Sequence, residues 1–381
     1  MKVAFLYFDD IHHVFHSVTI AFALSRTLGP GHTVDLLTIT DDCEALLTDF
    51  CRRTPDHDCR VVRLATPLSH RLWGQLRRRF PRKSRILKKH AAQLAGYDAL
   101  VGTDYTTGRI RRVLGARTPE LIFTSHGAGD RAYGYREELK AFDLILAAGE
   151  KVRQRSEAVG LRDGAECHVT GYAKFDTDLA TYSDRAALFP DTASRLTVIY
   201  NPHFAAHLSS WPKLGAAVLD YFARSDRFNL IFAPHIMLFD PRHGNRIEPR
   251  WQNLPHVHID TGSLASSDMS YTRLADVYLG DVSSQSYEFI SQPRPCIFLN
   301  AHGVDWQNDI NYLSWQGGAV IEATDDLASR LDTLLTQPNS AACDLSRQTQ
   351  LLDETFSVTG GVSASQRSAD CIVEFMQRRT P

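Results

Sequence analysis

Leu279-Gly-Asp-Val-Ser-Ser-Gln-Ser-Tyr-Glu-Phe-Ile290 runs from an apolar strand through a polar turn into a helix. Val277 and Leu279 read as a buried strand, Gly280-Asp281 as the turn, and Ser283-Ser284 as the helix start. Serines at a helix start leave hydroxyls and backbone N–H groups at the positive end of the helix dipole, which suits a phosphate. A plain N-cap is the alternative, and the two readings are compatible because they share one geometry. Asp281 reads first as the turn former that fixes the serines, and Glu288, one turn onward, as an acceptor for ribose hydroxyls. Two more strand-like runs, Leu121-Ile-Phe-Thr124 and Asn229-Leu-Ile-Phe232, lead straight into histidine-bearing turns, Ser125-His126-Gly127 and Ala233-Pro234-His235. Three strand ends, two imidazoles and one phosphate seat point to chemistry on a nucleotide-diphosphate donor. No glycine-rich dinucleotide fingerprint accompanies them.

Working outward, strand and helix alternate along the chain. Strands are expected at 2–8, 33–40, 61–64, 99–102, 121–124 and 144–148, with helical patterns such as 16–28 between them. The alternation restarts at 196–200 and continues through 230–233, 257–259, 277–279, 296–299 and 319–321, closing on an amphipathic helix at 364–378. Such alternation makes parallel sheets covered on both faces. The expected fold is therefore α/β, two Rossmann-like doubly wound domains facing across a cleft. The first spans 1–176 and the second 196–381, with the last helix free to cross back. The polar stretch 177–195 reads as an interdomain linker.

A chain of 381 residues with 43% hydrophobic content is long enough for two cores. A formal charge of −2 and a pI near 6.8 argue against a general nucleic-acid binder. Seven cysteines without a CxxC pair read as buried reduced thiols. The opening Met1-Lys-Val-Ala-Phe-Leu-Tyr-Phe-Asp-Asp10 turns acidic too quickly for a signal peptide, and no 18-residue apolar run exists. A cytoplasmic protein is the expectation.

Charge is unevenly spread. Between Arg71 and His90 lie nine basic residues and no acid: Arg71, Arg77, Arg78, Arg79, Arg82, Lys83, Arg85, Lys88 and Lys89. Removing their nine positive charges from −2 leaves −11 on the rest. Leu72, Trp73, Leu76, Phe80, Ile86 and Leu87 interleave with them. Basic residues beside Trp and Phe describe a segment that lies on an anionic bilayer or grips a polyanionic acceptor. The residues assigned this role are Arg77, Arg78, Arg79, Lys83, Lys88 and Lys89, which would make the protein peripheral on the inner face of the plasma membrane. A solvated helix face is the bland alternative. Pro81 is expected to break the segment into two short helices.

The cluster Asp9-Asp10-Ile11-His12-His13-Val14-Phe15-His16 invites a metal reading, since His12 and His16 are four apart. The preferred reading has no metal: Asp9 and His12 line the end of the first strand and touch an acceptor. Hydrolysis by a Ser-His-Asp triad is disfavoured, because no Gly-x-Ser-x-Gly elbow occurs.

The ordered set Ser125-His-Gly127, Thr170-Gly-Tyr-Ala-Lys-Phe-Asp176, Tyr200-Asn-Pro202, Ala233-Pro-His235, Asp281-Val-Ser-Ser284 and Arg294-Pro-Cys-Ile-Phe298 resembles the CDP-glycerol glycerophosphotransferase family. That family builds or primes teichoic-acid-type poly(glycerol phosphate) chains and has the GT-B architecture. The likeness runs from about Leu121 to the C-terminus. It implies transfer of glycerol phosphate from CDP-glycerol to a lipid-linked or polymer acceptor in cell-envelope synthesis, with no essential metal and no other cofactor. His126 would be the general base on the acceptor side, with Gly127 permitting close approach and Asp130 or Glu137 orienting the ring. His235, beside Pro234, would meet the donor phosphates or offset charge on the departing nucleotide as an imidazolium. Asp281, Ser283, Ser284 and Glu288 would complete the donor site. The sequence departs from the family at Asn201-Pro-His-Phe-Ala-Ala-His207, where an arginine usually contacts the phosphates; His203 or His207 would take that contact. A GT-B glycosyltransferase with a nucleotide-sugar donor is the alternative function, and a UDP-GlcNAc 2-epimerase-like enzyme is a further one.

Overall fold

The computed structural model describes residues 1–381 except 67–82, 128, 131–134, 179, 242–243, 358–360 and 380–381. Arg77, Arg78 and Arg79 therefore lie outside the described residues, as does Pro81. The chain forms two compact units: residues 1–128, 133–178 and 354–381 make the first, and residues 129–132 and 179–353 make the second.

The first unit is built on a seven-stranded parallel sheet. Its strands are β1 (Lys2–Tyr7), β2 (Thr33–Thr38), β3 (Arg60–Arg63), β4 (Ala99–Gly102), β5 (Glu120–Thr124), β6 (Leu144–Ala147) and β7 (Glu166–Val169), in the order β3-β2-β1-β4-β5-β6-β7. β1, β4, β5 and β6 are apolar on both faces because helices cover both, and nearly every residue in them is buried. β7 escaped the sequence reading. Its Glu-Cys-His-Val run is only partly buried at the sheet edge, so the continuous apolar signal is missing. The helix expected from His16 begins instead at Val18, after a 3-10 turn over Ile11–His16.

The final helix, Ala364–Arg379, packs against helix Val18–Leu28 within this unit. Asp176 accepts from the Ser365 amide, and the Arg367 guanidinium donates to the carbonyls of Thr170 and Ser357. Gly171 lies at φ +94°, and a Cβ there would meet the Arg367 Nη2 at 2.2 Å, so only glycine fits that turn.

The second unit carries a six-stranded parallel sheet of β8 (Leu196–Asn201), β9 (Phe228–Phe232), β10 (Val257–Ile259), β11 (Val277–Gly280), β12 (Cys296–Asn300) and β13 (Ala319–Glu322). Its order, β10-β9-β8-β11-β12-β13, is that of a Rossmann sheet. Tyr200, Phe222, Leu230, Phe232, Leu279 and Ile297 lie in its core.

The stretch expected to be a linker belongs largely to this unit. Asp268 accepts from the Thr181 amide at 2.7 Å, the Ser270 hydroxyl accepts from the Tyr182 amide, and Arg185 pairs with Asp276. Thr192 accepts from the buried Asn229 side chain. The polarity that made the stretch look like a linker is spent on hydrogen bonds to the sheet and its loops. Arg294, whose guanidinium lies 3.9 Å from the Phe289 ring, donates to the carbonyls of Thr272, Ala275 and Phe289, a structural role for that part of the motif.

Candidate functional sites at the sheet switch points

In a doubly wound sheet the chain leaves neighbouring strands in opposite directions at one point, and ligands bind outside the strand carboxyl ends there. In the first unit that point lies between β1 and β4, and in the second between β8 and β11. Most of the histidines singled out in the sequence follow these strands or their immediate neighbours.

In the first unit, His126 follows β5, and its Nδ1 lies 2.7 Å from the Thr103 carbonyl oxygen, just beyond β4. A carbonyl only accepts, so Nδ1 carries the proton and Nε2 of the neutral ring keeps its lone pair. Thr103, and neither Asp130 nor Glu137, therefore orients the ring. Glu137 is exposed and faces Lys140 at 3.5 Å. The Thr103 hydroxyl lies 2.7 Å from Nδ1 of His13, whose ring stacks on that of His126 with centroids 4.3 Å apart and planes 30° apart. His12 and His16 approach His126 edge-on at 6.2 and 6.4 Å. Burial holds His13 and His16 well below the usual histidine range; neighbouring imidazoles add to this for both, as does Lys174 for His16. Among the described residues no group of three or more His, Cys, Asp or Glu has metal-holding geometry.

Asp9 and Lys83 form an ion pair of 2.6 Å, and Asp104 lies 3.6 Å from the same ammonium. The Lys83 side chain is only 9% exposed, so this residue, read as membrane-facing, is a buried counter-ion at the end of β1. Burial raises the Asp9 carboxyl in spite of Lys83. Burial opposes ionisation of Asp104 too, but Lys83 and hydrogen bonds from Thr106 outweigh it and hold that carboxyl below its usual range. Lys88 and Lys89 are exposed, and Lys89 donates to the Ala65 carbonyl. The Gly127 amide donates to the Ser125 hydroxyl.

Sequence reasoning did not single out Thr103, Lys174 or the role of His13. Thr103 carries no motif. Lys174 sat inside a matching segment, is 5% exposed, and influences His16 electrostatically. His13 was visible in the His12-His13-x-x-His16 cluster, but its stacking partner is 113 positions away.

In the second unit, His203 follows β8 and His235 follows β9, with ring centroids 5.6 Å apart and Phe204 against both. Nδ1 of His203 accepts from the Ala205 amide at 3.0 Å, and Nδ1 of His235 from the Met237 amide at 3.2 Å. Each bond requires a lone pair on Nδ1, so each ring carries its proton on Nε2 and is a neutral donor. Burial lowers the His235 pKa to about 4 even though part of the residue remains exposed. At neutral pH the ring is therefore uncharged, with its proton on Nε2, rather than the imidazolium expected from the sequence. His207 is exposed and Pro234 buried.

Asp281 is fully buried after β11. Its Oδ2 accepts from the amides of His203 at 2.9 Å and Ser210 at 2.8 Å, and its Oδ1 has no hydrogen-bond partner among the described residues. Burial raises its pKa to about 7. A carboxyl so enclosed ties the turns after β8 and β11 together. Ser283 caps the short helix Ser284–Phe289, its hydroxyl accepting from the Gln285 amide at 3.2 Å. Ser284 is half-buried and Glu288 is buried. Asp130 belongs to this unit and accepts from the Tyr287 hydroxyl at 2.6 Å and the Ser314 amide at 2.9 Å.

No protein-family model and no curated protein matches the sequence. Solved structures do match in fold. The wall teichoic acid polymerase TagF superposes with a TM-score of 0.63 at 13% identity, covering 99% of this chain and 89% of that one. A variant of it was also solved after a soak with CDPG, at 0.62, 12% identity, and 99% and 89% coverage. MnaA from S. aureus, in a co-structure with UDP, matches at 0.62 and 12% identity over 99% of this chain and 96% of that one. A putative UDP-N-acetylglucosamine 2-epimerase from Listeria monocytogenes gives 0.60 and 12% over 99% and 96%. The two-domain α/β fold of GT-B type is shared with all of these, and the resemblance reaches no further than fold.

Proposed function

We propose that the protein is a GT-B transferase that moves glycerol phosphate from CDP-glycerol to the hydroxyl of a polyol-phosphate or glycan acceptor. The observation that carries this reading is the His126 ring, whose Nδ1–H is held by the Thr103 carbonyl at 2.7 Å so that Nε2 is the basic atom. A neutral imidazole so fixed removes a proton from an acceptor hydroxyl as that oxygen attacks the glycerol-bearing phosphorus of CDP-glycerol and the bond from that phosphorus to CMP breaks, CMP leaving. The donor falls to the second unit. Its neutral Nε2–H donors, His203 and His235, take phosphate oxygens, and the Ser283-Ser284 turn contributes backbone N–H groups. Of these, His203 stands in the segment where the resembling family uses an arginine. The reading needs no divalent ion.

The same proposal has the enzyme working in the cytoplasm at an anionic membrane surface, engaged through residues 71–90. Lys83 is excluded from that surface by its pair with Asp9, while Lys88 and Lys89 remain exposed. No helix among the described residues is long and apolar enough to cross a membrane.

Thermal unfolding in the presence of CDP-glycerol, UDP-sugars and CMP-sugars tests the donor, because a ligand bound only by the native state raises stability by RT ln(1 + [L]/Kd). CDP-glycerol is expected to raise the midpoint most. A shift given only by UDP-sugars would replace this reading with a nucleotide-sugar glycosyltransferase.

A further inference from the structure

We propose that Thr103 and His13 are positioning residues for His126, together fixing its ring in the Nδ1–H form and leaving Nε2 as the basic atom. The inference deepens the reading of His126 as the base and rests on it for its catalytic consequence. Thr103 lies just beyond β4, at the switch point of the first sheet, and uses two atoms. Its carbonyl oxygen accepts from His126, and its hydroxyl bonds Nδ1 of His13, both at 2.7 Å. His13 then lies against the face of His126 at 4.3 Å.

One residue therefore fixes the edge of the His126 ring, and the side chain it holds fixes the face. Histidine in water favours the Nε2–H tautomer, so the opposite form in His126 has to be imposed by its partners. His13 is 5% exposed and is itself tied down, so its ring makes a rigid wall. It stays uncharged at neutral pH through burial and the neighbouring imidazoles, so a proton arriving on His126 meets no adjacent cation in the stack. Asp9 and Asp104 lie close enough to interact electrostatically with His126, and both face the Lys83 ammonium.

The test uses the full chain labelled with nitrogen-15 in histidine, comparing wild type with T103V, T103S and H13A. In wild type and T103S, the His126 nitrogens should read as protonated Nδ1 and bare Nε2. T103V keeps the backbone carbonyl and loses only the hydroxyl that holds His13, so T103V and H13A both free the face of the His126 ring to turn away from that carbonyl and should show mixed tautomers there. A misplaced catalytic group costs on the order of 10²-fold, and a ring that is only loosened should lose about 10- to 10²-fold in kcat. KM for CDP-glycerol should not change in either variant, and T103S should restore turnover. If H13A does not fold, the T103V and T103S pair decides alone. A single wild-type tautomer in T103V overturns the proposal, as does wild-type kcat in that variant. If the protein does not act on CDP-glycerol, the nitrogen spectra still decide: lost tautomer selection in T103V supports the positioning role whatever the reaction is.

Discussion

Replacing Asp281 with asparagine should make the pH slope of the second unit's stability more positive by about 1.4 kcal/mol per pH unit between pH 4 and 7, while the lowered His235 pKa contributes an opposite slope in both proteins. The carboxyl is fully buried, and its pKa rises from an ordinary 3.8 to about 7. A raised carboxyl pKa means that the folded state holds a proton the unfolded chain has released. Stability from this group is thus complete below pH 3.8 and falls as pH rises toward 7. The slope over that window is about −1.4 kcal/mol per pH unit. The full difference is about 4 kcal/mol, from 1.36 kcal/mol per pKa unit. Asparagine keeps an oxygen for the His203 and Ser210 amides but cannot ionise. Alanine would strand both amides, at about 1–3 kcal/mol each, and should be worse at every pH. Urea unfolding followed by tryptophan fluorescence reads the right unit, because Trp211, Trp251, Trp306 and Trp315 all belong to it. The decisive quantity is the pH slope of the wild-type and asparagine proteins, independent of their absolute stabilities. Parallel slopes from pH 4 to 7 would refute the argument and mean that Asp281 is ionised in the fold.

His126→Ala should lower kcat by about 10²–10⁴-fold, the usual worth of a positioned base, while donor affinity measured by calorimetry stays near wild type. Donor affinity should be flat from pH 5.5 to 8 as far as His235 is concerned, since that ring is neutral above its pKa of about 4; affinity that climbs steeply as pH falls through 6.5 would restore the imidazolium. Neutralising Arg77, Arg78 and Arg79 should weaken binding to anionic vesicles in a salt-dependent way and leave turnover of a short soluble acceptor intact; co-sedimentation beside a soluble-acceptor assay separates the two. Gly149→Ala should destabilise the first unit by about 1–3 kcal/mol or more, as overpacked sites do, because its Cβ would sit 2.4 Å from the backbone carbon and oxygen of Thr355. Thermal unfolding by circular dichroism reads it, and an unchanged midpoint would contradict the packing.

Period and composition were enough for the sequence alone to determine the fold class. Buried parallel strands read as continuous apolar runs, and β5, β9 and β11 each end in a turn whose residues the eye can pick out. His126, His203, His235 and Ser283 were legible for that reason: each stands two or three positions beyond a strand, β5, β8, β9 and β11 respectively. The edge strand β7 was not legible, because half-exposed edges carry no apolar run. Nor was the attachment of residues 181–192 to the second unit, because polarity looks the same whether water or protein satisfies it. Chemistry between distant residues was decided only in the tertiary structure. Strand order puts Thr103 beside both His13 and His126, which assigns the His126 proton to Nδ1, and it puts Asp281 under the amides of His203 and Ser210. Burial, which no local pattern fixes, made His235 a neutral donor and Lys83 an internal counter-ion. Protonation state and tautomer depend on partners brought together across a sheet, and the order of strands in that sheet is a property of the folded chain.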